Sequence, residues 1–206
     1  MSTKGQHQSI ALDIDRFASV EEALAEAASL TMLLTGLAQR AVMEDNSRSG
    51  YDLIHAFLLS SVSRARGIAD GISREIQHDN SHAVFALLRP LLEIGGLIEY
   101  VYHDNAYAAV LAASQDSSDG RSRVTWQKIW NVVSKTYPGI KRVYEEVCDV
   151  NHFGSTAFWM SWRIVDEETH YTQFFIGPGW REERYKQLAA CHLVEFSNSS
   201  TMLVTA

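Results

Sequence analysis

The stretch Ala83 to Tyr102, AVFALLRPLLEIGGLIEYVY, decides how this chain is read. It is apolar around nearly its whole circumference, and such a helix belongs at the centre of a fold, packed on all sides. Yet it carries Arg89 and Glu93 four residues apart, with Glu99 further along. Ionised groups in those surroundings are paired, open to water through a cavity, or used for chemistry. Pro90 removes one backbone donor, so the helix is expected to kink near Ala86 or to restart with Pro90 in its first turn. The charges and the proline argue against a membrane span despite the length of the run.

The flanking sequence places this helix in a bundle. Ser19 followed by Glu22 is a capping-box pattern, and Val20, Leu24, Ala27, Thr31, Leu34 and Ala38 then recur at helical spacing. A first helix is expected over about residues 20–45 and a second over about 51–77, where Ile54, Phe57, Leu58, Val62, Ala65, Ala69, Ile72 and Ile76 form the stripe. Only four residues, 78–81, separate it from the apolar helix, so the two should run antiparallel. Residues 114–122, SQDSSDGRS, read as a loop. Trp126, Ile129, Trp130 and Val133 then resume a helical pattern, and Pro138 opens a further helix that stops at Phe153-Gly154.

After Gly154 the pattern changes to alternation, with Phe158, Met160, Trp162 and Ile164 on one face and a β-branched and aromatic run from His170 to Ile176. That is an antiparallel hairpin, about residues 156–176, followed by a last helix from Trp180. The expected architecture is a mostly α antiparallel bundle of five to six helices with one β-hairpin before the C-terminal helix. Residues 1–18 form a tail and 19–206 a single domain.

Composition narrows the function classes. The 206 residues hold 18 Lys and Arg against 25 Asp and Glu, a formal charge of -7 that repels phosphate backbones, so no nucleic acid is expected as partner. Two cysteines, Cys148 and Cys191, are too few for a disulfide framework, and the N-terminus lacks the pattern of a signal peptide. A cytoplasmic protein without membrane attachment is the simplest expectation. The small residues of the second helix and the aromatic hairpin favour a homodimer. There is no Gly-x-Ser-x-Gly elbow and no Gly-rich phosphate loop.

The candidate site follows from periodicity. At about 100° per residue, His82, Arg89, Glu93, Gly96, Tyr100 and His103 share one narrow stripe of the apolar helix. The stripe is either a thin solvent face with an ordinary i,i+4 ion pair, or the wall of a polar pocket. The expectation is that Arg89 and Glu93 are largely buried and bonded to each other, whereas Glu99 with His103 reads as a surface pair. A second polar knot, Cys148 to Gly154, puts His152 at a helix end, and His152 is expected within hydrogen-bonding reach of Arg89 and Glu93. The binding site is therefore assigned to Arg89, Glu93, His152 and Tyr100. Arg89 would hold an anionic group, Glu93 would orient it, and His152 would be a hydrogen-bonding or titrating partner, a neighbouring carboxylate favouring its protonated form. The ligand would be a small anion or a protein partner, with no cofactor and no metal.

Arg89-x-x-x-Glu93 in an apolar helix, with Tyr144 and then His152 some sixty residues on, resembles an uncharacterised prokaryotic helical-bundle family over about residues 51–179. The resemblance implies a shared polar site at these four positions and names no reaction. Related bundles resemble the HEPN ribonucleases, whose metal-independent chemistry uses Arg and His four to six residues apart on a helix. Arg163 and His170 have a comparable spacing, but they fall in the expected hairpin beside an acidic turn. A carboxylate-bridged metalloenzyme is a further alternative: Glu75 with His78 and Asp149 with His152 have the three-residue carboxylate and imidazole spacing of di-iron bundles, with Glu93 and Glu99 as the additional carboxylates.

Overall fold

Side-chain caps set the helix starts. In a computed structural model that describes residues 16–49, 52–113, 124–152, 162–174, 179–180 and 182–205, helix α1 spans Val20–Ser49. The Glu22 N–H donates to Ser19 Oγ at 3.2 Å, the N-cap bond that the Ser19 and Glu22 spacing predicts, while Glu22 Oε2 accepts from the N–H of Ala18, one residue before the cap, at 2.7 Å. Helix α2, Leu53–Gln77, begins where Asp52 Oδ1 accepts from the N–H groups of Ile54 and His55. The link to α3, Ser81–His103, turns through Asp79 at a φ of 58°, a left-handed conformation that Asp tolerates. Asn80 then caps α3.

Beyond α3 come α4 (Tyr107–Ala113), α5 (Trp126–Thr136), α6 (Ile140–Asn151), the strands β1 (Trp162–Asp166) and β2 (Tyr171–Phe174), and α7 (Glu183–Thr205). The chain is mostly helical, with an antiparallel hairpin before the C-terminal helix, as its pattern predicts. The described residues form seven helices where five to six were expected. The addition is α4, whose seven residues are too few to show a periodic stripe. In the hairpin Trp162 pairs with Phe174 and Ile164 with Thr172, and the register shifts between Ile164 and Asp166. The expected tail before residue 16, the loop at 114–122 and the outer parts of the hairpin lie outside the described residues.

Two hydrophobic cores explain why α3 is apolar all round. One gathers α1, α2, α7 and the first half of α3 around Leu24, Ala69, Ile72, Leu91 and Leu193. The other gathers α4, α5, α6 and the second half of α3 around Tyr100, Val101, Ile129, Trp130 and Tyr144. Helix α3 runs through both. It also runs unbroken through Pro90, whose ring nitrogen has no proton for the Ala86 carbonyl. Beside that irregularity, Asn151 Nδ2 donates to the Phe85 carbonyl at 3.1 Å and to the Val147 carbonyl at 2.9 Å, fastening the end of α6 to α3.

The crossing of α3 and α5 depends on Gly96. A Cβ placed there would meet the Trp130 ring at 2.9 Å, and that ring is itself buried and packed. Gly96→Ala is therefore expected to destabilise the protein by about 1–3 kcal/mol through overpacking. Gly67 is also helical but has nothing within 4 Å of where a Cβ would stand, so it supplies the control. There Ala should stabilise by about 0.5–1 kcal/mol. Equal urea midpoints for the two variants would show that the Gly96 contact does not set the crossing.

Candidate functional site

Arg89 and Glu93 stand one turn apart on α3 and meet α6. Glu93 Oε1 accepts from Arg89 Nε–H at 3.0 Å and from the Tyr144 hydroxyl at 3.0 Å. Arg89 Nη1 lies 3.0 Å from His152 Nε2. A guanidinium has only donors, so this bond needs the Nε2 lone pair, and an imidazole bonded in this way is neutral with its proton on Nδ1. Thus His152 does reach the pair, but through the guanidinium instead of the carboxylate, and the protonated ring expected from a carboxylate neighbour is not the form this contact accommodates. The α6 side of the site is held in place by the Asn151 bonds just described.

The burial expected for the pair is not what is found. Side-chain exposure is 33% for Arg89 and 23% for Glu93, and His152 is exposed. Each partner of the ion pair is therefore only partly covered. Tyr144 is the buried member, with Trp130 at 4.6 Å and Trp126 at 6.2 Å between ring centroids. That burial, then the hydrogen bonds to Glu93 and to the Cys148 thiol, push the Tyr144 pKa well above the ordinary phenol value, so the hydroxyl remains a donor. The Arg89 guanidinium is held above its usual value too, first by its bond to Glu93.

Tyr100 does not join these residues. It is buried against Tyr107, edge to face at 5.0 Å, in the second core. The stripe that linked it to Arg89 by periodicity is not one surface, because Trp130 lies over Gly96 midway along it while His82 at its start is exposed. Helical phase gives direction around α3, but it does not show that α5 crosses between Glu93 and Tyr100.

The deeply buried carboxylate on α3 is Glu99, at 2% exposure, and not the surface partner its spacing to His103 suggests. Its Oε1 accepts from the Thr136 hydroxyl at 2.8 Å and lies 3.1 Å from His103 Nε2, while Oε2 is buried without a hydrogen-bond partner among the described residues. The signal available in the sequence is phase, since Leu92, Gly96 and Glu99 follow at helical spacing and Leu92 packs in the second core.

The two alternative constellations do not assemble. Arg163 lies in β1, paired with Gln173, and His170 sits exposed in the turn at a φ of 54°, so neither is on a helix. Glu75 Oε2 accepts from Asn80 Nδ2 at 2.7 Å, and His152 is engaged by Arg89. Among the described residues no group of three or more His, Cys, Asp or Glu is placed to hold a metal ion. No described helix is long and apolar enough to cross a membrane. No family model, curated protein or solved structure matches the chain.

Two expectations about stability follow from this geometry. A phenol whose pKa is raised on folding gives stability that is complete below the unfolded value of about 10 and is lost as pH climbs toward the folded value. Tyr144→Phe should cost about 1 kcal/mol near neutral pH and should flatten the alkaline loss seen in urea unfolding. An alkaline loss as steep in Tyr144→Phe as in the parent would assign it to other groups. For Glu99, whose partner His103 is 46% exposed, removing the imidazole takes a hydrogen-bond partner from a buried carboxyl group, whereas removing the carboxyl group returns His103 to water. His103→Ala is expected to destabilise by about 1–3 kcal/mol, and Glu99→Met to be less costly. The reverse order of urea midpoints would show that the His103 bond does not offset the burial of Glu99.

Proposed function

We propose that this chain is a small cytoplasmic binding or interaction protein whose polar site, built from Arg89, Glu93, Tyr144 and His152, takes an anionic group. The observation that carries the reading is the way one guanidinium is held. Glu93 fixes its Nε edge while Tyr144 fixes Glu93, so Arg89 is oriented by two helices instead of swinging free. Orientation lowers the entropy lost when a ligand binds, and a guanidinium at this exposure keeps N–H groups beyond the two already bonded. Charge-assisted bonds to a carboxylate or phosphate oxygen are the strong interactions such a group makes.

The four residues are also those on which the chain resembles an uncharacterised prokaryotic helical-bundle family, and membership of that family is part of the proposal. A homodimer is proposed for the assembled state. For the ribonuclease reading, Arg163 and His170 lie in the hairpin and not on a helix. RNA cleavage abolished by both Arg163→Ala and His170→Ala would overturn our ranking.

The binding reading is tested by titrating isotope-labelled protein with sodium sulfate at constant ionic strength, with chloride as control. We expect saturable shifts of the His152 ring and of amides near Arg89, weakened at least about tenfold in Arg89→Met. Shifts of equal size and midpoint in Arg89→Met, or none in the parent, would overturn it.

A further inference from the structure

Arg89 and His152 face each other in an arrangement that one protonation state permits. Nη1 donates, Nε2 accepts, and the imidazole is neutral. An oxyanion entering at the same place changes both roles. It accepts from the guanidinium, and where it comes between the two groups it presents a second oxygen to an Nε2 that must now donate.

Charge decides how Nε2 obtains a proton. Arg89 and Glu93 cancel each other, so the site as it stands has no net charge left to offset an incoming anion. Tyr144 stays protonated and adds none. Asp149, three residues before His152 on α6, is a further carboxylate, and Cys148 is a thiol one turn away. From α5 the side chains that reach Tyr144 are Trp126 and Trp130, which are uncharged. The imidazole in this set is His152, and it is exposed to the water that can supply a proton. A neutral ring that only moved its proton from Nδ1 to Nε2 would satisfy the hydrogen bond and leave the anion's charge unbalanced.

We infer that the ligand of this site is an oxyanion taken up together with one proton, Arg89 holding one oxygen and His152 Nε2–H another. The inference rests on the anion-binding reading above. No covalent bond changes. The proton comes from solvent and stays on the imidazole while the anion is bound. Glu93 and Tyr144 keep their bonds throughout and hold Arg89 still as its partner changes from imidazole to anion.

Calorimetric titration with sodium sulfate, whose own charge does not change near neutral pH, tests this at about pH 7.5 in two cationic buffers that differ in ionisation heat. The difference in observed heat counts protons. We expect uptake by the parent and an affinity that rises as pH is lowered, toward a limit of about tenfold per pH unit for one proton. His152→Asn, which still offers an N–H donor, should bind sulfate without uptake and without that pH dependence. Binding by the parent with no buffer dependence would overturn the coupled proton and leave anion binding standing. Proton uptake preserved in His152→Asn would move the proton to another group and overturn the inference as well. No sulfate binding in parent or variant at any pH would sink the underlying reading.

Discussion

Helix α3 is packed by other helices along its length, and each polar side chain it carries must find a partner or a route to water. This constraint shapes the molecule. The first half of the helix shares a core with α1, α2 and α7, and the second half shares one with α4, α5 and α6. Gly96 lies where the packing is tightest and admits the Trp130 ring. On one side of that crossing Arg89 and Glu93 bond to each other and to the residues of α6 and its cap, and stay partly exposed. On the other side Glu99 is enclosed and takes Thr136 and His103 as partners.

The two polar groups of α3 solve the constraint differently, and the difference separates a site from a structural ion pair. Glu99 is almost sealed, and its bonded partner His103 is half-exposed. A polar group buried in that way costs desolvation that its partners must offset, which makes it poor evidence for ligand binding by itself. The Arg89 group is half-open, spans two helices and ends on an exposed imidazole. Its interactions are worth less to stability for that reason. What they supply is orientation: Asn151 sets the end of α6 against α3, Tyr144 fixes Glu93, and Glu93 fixes Arg89.

Much of this is legible in the amino-acid order, for identifiable reasons. The Ser19 and Glu22 spacing encodes a local cap, and local interactions carry over from sequence to structure with little interference. The β alternation around Trp162 and Phe174 is equally local. Helical spacing groups Arg89 with Glu93, the resemblance adds Tyr144 and His152, and the four do meet. Their degree of burial is not legible, because it depends on how closely α6 packs on α3. The exclusion of Tyr100 and the enclosure of Glu99 both follow from the α5 crossing, which joins residues more than thirty positions apart and leaves no periodic trace in either segment. Helix α4 escapes a sequence reading because seven residues are too short to show a stripe.

The central claim is that Arg89 donates to a neutral His152 within one hydrogen-bonded unit, and the tautomer of that ring tests it most directly. Long-range proton–nitrogen correlation spectra of the imidazole, recorded above its titration in the absence of added anion, distinguish the protonated ring nitrogen from the accepting one. Our account predicts that Nε2 carries the unprotonated signature and Nδ1 the proton, and that Arg89→Met releases the ring toward the Nε2–H form usual for a free imidazole. An Nε2–H ring in the parent, unchanged by Arg89→Met, would contradict it.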